Sequence, residues 1–235
     1  VVAVLGLLEF HKLAVQSGAK VPIVLIFLLT ALFIVNGYIS LQWGNYSWAI
    51  LLLGAFFSFW WAYIYGKERS VRNFIYTLLG PVYIGFLLSH AILLRGDTQN
   101  GLAWLYFAII TTFASDTGAF FVGRTIGRHK LAPELSPRKT WEGSAGGLLL
   151  AMASALLLYY VMDISISLWQ ILVLGVIIGI VGQIGDLLES LLKRKAGVKD
   201  SGILLPGHGG ILDRIDSILF NIPVVYYFVT LIMLL

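Results

Sequence analysis

Apolar and polar stretches alternate along the chain in a pattern that gives eight apolar segments. They fall at about residues 1–14, 21–40, 46–66, 73–94, 101–122, 144–162, 167–189 and 217–235. Each of the last seven reaches the ~18 residues that a helix needs to cross a bilayer. The first is ended early by His11 and Lys12. A β-barrel would instead show short segments of strict two-residue alternation, and the chain has none. The predicted fold is therefore all-α: a polytopic helical membrane protein with about eight spans. Because Val1 already lies inside an apolar run, a preceding segment is expected, and one more span would make about nine. Residues 1–235 are expected to form a single integral membrane domain. Its 1–95 part is mainly spans, and its 101–235 part carries the polar loops.

Those loops sort into two alternating groups. The segments 12–20, 67–72, 123–143 and 193–216 are basic, whereas 42–47, 95–101 and 162–167 contain Arg95 as their single basic residue. The positive-inside rule places the basic group in the cytoplasm and the C-terminus outside. Trp43, Trp48, Trp60, Trp61, Trp104, Trp141 and Trp169 lie near segment ends, as interfacial aromatic belts do. Gly175, Gly179, Gly182 and Gly185 form a small-residue stripe on one span, and Gly143 and Gly147 open the span before it. Such stripes let helix backbones pack closely where no hydrophobic force drives association.

Composition narrows the class further. The chain is 59% hydrophobic and 12% charged, against about 25% charged in ordinary soluble domains; its mean hydropathy is +0.89. With no cysteine, disulfides, thiolate metal sites and thiol nucleophiles are all excluded. The net charge of +4 suits contact with anionic lipid headgroups, and no nucleic-acid partner is expected.

Against this apolar background, Gly182 to Ser217 is crowded with charge. It holds five of the 12 acidic residues (Asp186, Glu189, Asp200, Asp213 and Asp216) and five of the 16 basic ones (Lys193, Arg194, Lys195, Lys199 and Arg214), with His208 beside them. Asp186 and Glu189 stand three apart on a predicted helix and so share a face. A carboxylate near the end of a span avoids lipid by facing a bundle interior or a polar cavity. Asp213 and Asp216 repeat the spacing at the start of the last span. One acid there would suffice to cap the helix. A second, with Asp186 on the adjacent span, points to a cation site for a hard ion such as Mg2+. Lys193, Arg194 and Lys199 could be plain positive-inside charge. Beside acids and the glycines Gly207, Gly209 and Gly210, they suit phosphoryl groups, because bases neutralise charge and glycine backbones approach anions closely.

A second polar loop lies on the same predicted side. Asp116 interrupts an apolar run near its cytoplasmic end, and 136–143 carries Lys139 before a predicted helix that Thr140 could cap. Gly118 to Thr125 nearly matches a phosphate-binding loop, but Arg124 stands where lysine is needed and no strand precedes it. Ser190 and His208 share the charged stretch without an identifiable orienting acid, so no serine–histidine nucleophile is proposed. His11, His90 and His129 read as structural, interfacial or loop residues.

Three segments then carry a resemblance. From Ser190 to Asp216 the chain reads S-x-x-K-R-x4-K-D-x-G-x2-L-P-G-H-G-G-x-x-D-R-x-D; SDTGAFFVGR begins at Ser115 and SPRKTWEG at Ser136. Together they resemble the CDP-diacylglycerol synthases, or phosphatidate cytidylyltransferases. The resemblance implies a membrane enzyme that joins CTP to phosphatidic acid, releasing pyrophosphate, at the cytoplasmic face of a prokaryotic plasma membrane. It implies Mg2+, with a second cation such as K+ at the acidic cluster, and a homodimer is an assembly it allows. Carried over by residue, Asp186, Asp213 and Asp216 become metal ligands and, with Lys199, catalytic residues. Lys139, Lys193, Arg194, His208, Arg214 and Asp116 become substrate contacts.

Two other readings were weighed. An ion-coupled membrane transporter would place acids at the bilayer midplane and show inverted repeats, whereas these acids cluster toward one predicted face. A phospholipid-alcohol phosphotransferase would carry D-G-x2-A-R-x8-G-x3-D-x3-D, which is absent.

Overall fold

Long apolar runs without helix breakers satisfy their backbone hydrogen bonds internally, which is the solution open to a segment in lipid. The computed structural model, described for residues 1–66, 70–98, 100–162, 166–202 and 209–233, is accordingly built of helices. They are α1 (Val2–Gln16), α2 (Ile23–Trp43), α3 (Ser47–Gly66), α4 (Ser70–Gly80), α5 (Leu87–Asp97), α6 (Gly101–Ile126), α7 (Trp141–Val161), α8 (Leu168–Lys195) and α9 (Leu212–Met233). A π-helical stretch, Pro81–Phe86, joins α4 to α5 without a break.

Among the described residues seven helices are long and apolar enough to cross a membrane, with Ser70–Gly96 counting as one. This is an all-α, multi-pass membrane protein, and among the described residues seven of the eight expected segments form helices of spanning length. The described α1 has 15 residues, about 22 Å at 1.5 Å per residue. Helix α3 shows the membrane signature directly. Trp48, Leu52, Phe56, Phe59 and Tyr63 are all exposed, a surface that water would not tolerate.

The chain forms two compact units. The first comprises Val1–Gly96 and Leu192–Ile215, the second Asp97–Leu191 and Asp216–Leu235. In the first unit, α1 turns Leu7, Phe10 and Leu13 inward. The Phe10 ring lies 6.1 Å from that of Tyr76 and 6.3 Å from that of Tyr83. Asn36 ties the α2–α3 turn by donating to Ser47 Oγ and accepting from the Tyr46 amide.

The second unit holds its helices together through small residues and buried amides. On α6, Gly118 approaches α7 so closely that a Cβ there would sit 2.6 Å from the Gly146 carbonyl oxygen. Across α7 and α8, Ser144 and Gln183 exchange hydrogen bonds. Buried Asn221 on α9 donates to Thr112 Oγ1 on α6 at 2.9 Å. Between α6 and α7 the predicted loop contains a short antiparallel hairpin of β1 (Lys130–Ala132) and β2 (Ser136–Thr140), pairing Lys130 with Thr140 and Ala132 with Ser136.

Candidate active site

Helix α8 is 28 residues long, about 42 Å, and so exceeds the ~30 Å hydrocarbon core by about two turns. The glycine stripe explains how its polar end meets α9. Gly182 faces Asn221, and a Cβ at Gly185 would lie 2.6 Å from the Phe220 ring and 2.9 Å from the Asp216 carbonyl oxygen. Only glycine allows that approach. It brings Asp186, Glu189 and Asp216 together, with one carboxylate oxygen from each within 4.8 Å of the others. Glu189 is fully buried, while Asp186 and Asp216 are half-buried. Ser190 Oγ stands 3.4 Å from Asp186 Oδ1. Three carboxylates this close repel one another strongly wherever water is scarce. Hard oxygen donors in such a set fit a divalent cation of the Mg2+ class.

Lys139 belongs to the same unit and completes the arrangement. Its Nζ lies 2.7 Å from Asp186 Oδ2. The hairpin delivers it there: β2 ends at Thr140, whose Oγ1 accepts the Gly143 amide at 3.1 Å and caps α7. At this same open end of the hairpin, Glu142 accepts the amides of Arg128 and His129 and pairs with His129 Nδ1 at 2.5 Å. The capping role considered for Thr140 is thus real, and it positions Lys139 one residue earlier. Asp116 on α6 interacts electrostatically with both Asp186 and Lys139. Four of the predicted residues, Asp116, Lys139, Asp186 and Asp216, therefore occupy one neighbourhood.

The other described candidates lie in the first unit. Helix α8 ends with Lys193, Arg194 and Lys195 in its last turn, where cations complement the macrodipole. Gly197 closes it at φ +73°, with its amide on the Arg194 carbonyl and the Val198 amide on the Lys193 carbonyl. Arg194 Nη1 donates to the Val198 carbonyl at 3.2 Å. Lys199 and Arg214 are exposed. Lys193 Nζ sits 2.6 Å from Asp213 Oδ1. The second Asp213 oxygen accepts the Ser201 amide at 2.9 Å, the Ser201 hydroxyl at 2.9 Å and the Gly210 amide at 2.8 Å. Asp213 thus caps its helix and pairs with lysine. His208 and Gly207 lie outside the described residues.

Two acids were not assigned roles from sequence. Glu189 had been placed on the face of Asp186, and that spacing already pointed to the cluster it joins. Glu9 gave a weaker signal, an acid inside the apolar run VVAVLGLLEF. It is buried and accepts the Ile211 amide at 3.0 Å, the Leu212 amide at 2.9 Å and the Ser201 hydroxyl at 2.8 Å.

Comparison with known proteins matches this chain to a family. A model of the cytidylyltransferase family covers residues 1–232. The phosphatidate cytidylyltransferase of Bacillus subtilis (strain 168) is 43% identical over 156 residues, 66% of this chain and 58% of that protein. Its counterpart in Staphylococcus saprophyticus is 43% identical over 161 residues, 68% of this chain and 61% of the relative. That of Staphylococcus aureus (strain COL) is 41% identical over 163 residues, with the same two coverages. The matched stretch thus spans about three fifths of these relatives' own length. With a family model matching nearly end to end, the chain belongs to the cytidylyltransferase family.

Proposed function

We propose that this protein condenses CTP with phosphatidic acid to give CDP-diacylglycerol and pyrophosphate. The observation that carries the reading is the Asp186–Glu189–Asp216 cluster with Lys139 paired to Asp186, in a chain 43% identical over 156 residues to a phosphatidate cytidylyltransferase.

The phosphate of phosphatidic acid is already a nucleophile, so the reaction needs neither a covalent intermediate nor a strong general base. One of its non-bridging oxygens forms a bond to the α-phosphorus of CTP. The bond from that phosphorus to the oxygen leading to the β-phosphorus breaks in line, and pyrophosphate departs with that oxygen. The protein's task is to hold two polyanions together against their repulsion, which is positioning and electrostatics. Lys139 is aimed for this work, since a phosphate oxygen can replace Asp186 as the partner of its ammonium. Asp186, Glu189 and Asp216 would hold the cation. A divalent ion such as Mg2+, when bound, would supply neutralisation of the charge developing on the phosphates. Lys193, Arg194, Lys199 and Arg214 belong to the first unit, and their part as phosphate contacts is what the family resemblance implies. The basic loops support a site at the cytoplasmic leaflet, where CTP would arrive from water and the lipid from the side.

The test is direct. Purified full-length protein in detergent, given labelled CTP, phosphatidic acid and Mg2+, is expected to form a CDP-lipid and pyrophosphate in equal amounts. Absence of that product in folded protein sinks the assignment.

A further inference from the structure

Glu9 lies on the inward face of α1, beside Leu7, Phe10 and Leu13, with 6% of its surface exposed. A carboxylate so placed is costly unless nearby donors replace the water it has lost. Here they are the Ile211 and Leu212 amides at the start of α9 and the hydroxyl of Ser201, itself 2% exposed. The first amides of a helix have no partners within it, and its positive end favours an anion. Glu9 therefore serves as a cap supplied from about 200 residues away in sequence, the separation being 202 for Ile211.

The same carboxylate explains two glycines, Gly202 and Gly210, the second of which the sequence suggests for anion approach. A Cβ on Gly202 would run into Glu9 Oε1, and a Cβ on Gly210 would collide with both Glu9 oxygens and with Ser201 Oγ. The anion these glycines admit is internal. Ser201 then passes the constraint on, because its hydroxyl also lies 2.9 Å from Asp213 Oδ2 and its amide bonds the same oxygen. Asp213 in turn holds Lys193. Glu9, Ser201, Asp213 and Lys193 thus form one connected run of hydrogen bonds.

We propose that Glu9 is a positioning residue of the reaction: it fixes the first turn of α9 and, through Ser201, sets the orientation of Asp213 and its partner Lys193. The inference rests on the nucleotidyl-transfer reading above. It assigns α1 a functional part beyond packing.

The test combines two readouts on full-length protein that remains monodisperse in detergent. In Glu9→Ala, amide exchange at Ile211 and Leu212 is expected to accelerate about tenfold or more, as for a lost helix cap, while α6 and α7 stay protected. Turnover per folded molecule is expected to fall roughly 10- to 100-fold from misplacement alone. Glu9→Gln keeps the chain length and one acceptor oxygen, so it should retain part of both properties. Gly202→Ala should mimic Glu9→Ala by displacing the carboxylate. The double variant should be no worse than the stronger single one, since both act through one group.

Unchanged exchange at Ile211 and Leu212 in Glu9→Ala, turnover within twofold of the parent, or fully additive losses in the double variant would each overturn the proposal. An inactive parent protein would instead remove the functional reading, while the exchange measurement still decides whether Glu9 fixes α9.

Discussion

Two groups of carboxylates, one in each compact unit, are built on opposite principles. In the second unit, Asp186, Glu189 and Asp216 point oxygens at one another within 4.8 Å, and Lys139 pairs with Asp186. In the first unit, Glu9 and Asp213 accept from three backbone amides near α9, the Ser201 amide and hydroxyl, and Lys193. The first arrangement stores repulsion that a bound cation would relieve. The second has spent its charge on fixing a loop. Acidity alone therefore does not mark a reactive group; what matters is whether the donors around it are already supplied by the fold.

The sharpest way to break this contrast is to neutralise one acid of each kind. Asp216→Asn removes a carboxylate from the repelling cluster. It is expected to lower turnover by about a thousandfold or more while leaving the melting temperature unchanged or higher. A variant retaining near-full activity would show that the cluster is not where the reaction is supported. Asp213→Asn should behave differently. It leaves the Lys193 ammonium, 12% exposed, without its countercharge, and is expected to cost on the order of 3 kcal/mol of stability. Denaturant unfolding in detergent measures this directly, and a shift below about 1 kcal/mol would dissolve the distinction between the two groups. The smallest effect is expected at the hairpin. Thr140→Ala removes the α7 cap and should cost about 1 kcal/mol, with a modest loss of turnover as Lys139 loosens. A loss as large as that of Asp216→Asn would place Thr140 itself in contact with substrate.

Much of this was legible in the sequence, and the limits have physical causes. The spans follow from composition, and at α1 the early end of the apolar run is already marked by His11 and Lys12. Helical spacing correctly set Asp186 and Glu189 on one face. The same rule paired Asp213 with Asp216, but Asp213 is the second residue of α9, where a side chain reaches back to free amides; Gly210 and Ser201 claim it. The hairpin escaped because three- and five-residue strands rich in polar residues have no periodic signature. Glu9 escaped because its donors, at 201, 211 and 212, are near it only in the folded chain.

The hydrogen bond from Asn221 to Thr112 has a consequence for depth. Sliding α9 by one helical turn, about 5.4 Å, would strand a buried amide in an apolar environment and cost several kcal/mol. Apolar helices in lipid slide past one another with little to choose between registers, and this bond selects one. Asp216 lies five residues before Asn221 on the same helix, so its height relative to α6 is set by that buried contact. The pair works as a depth gauge. It keeps the acid in register with α6 whatever the thickness of the surrounding bilayer.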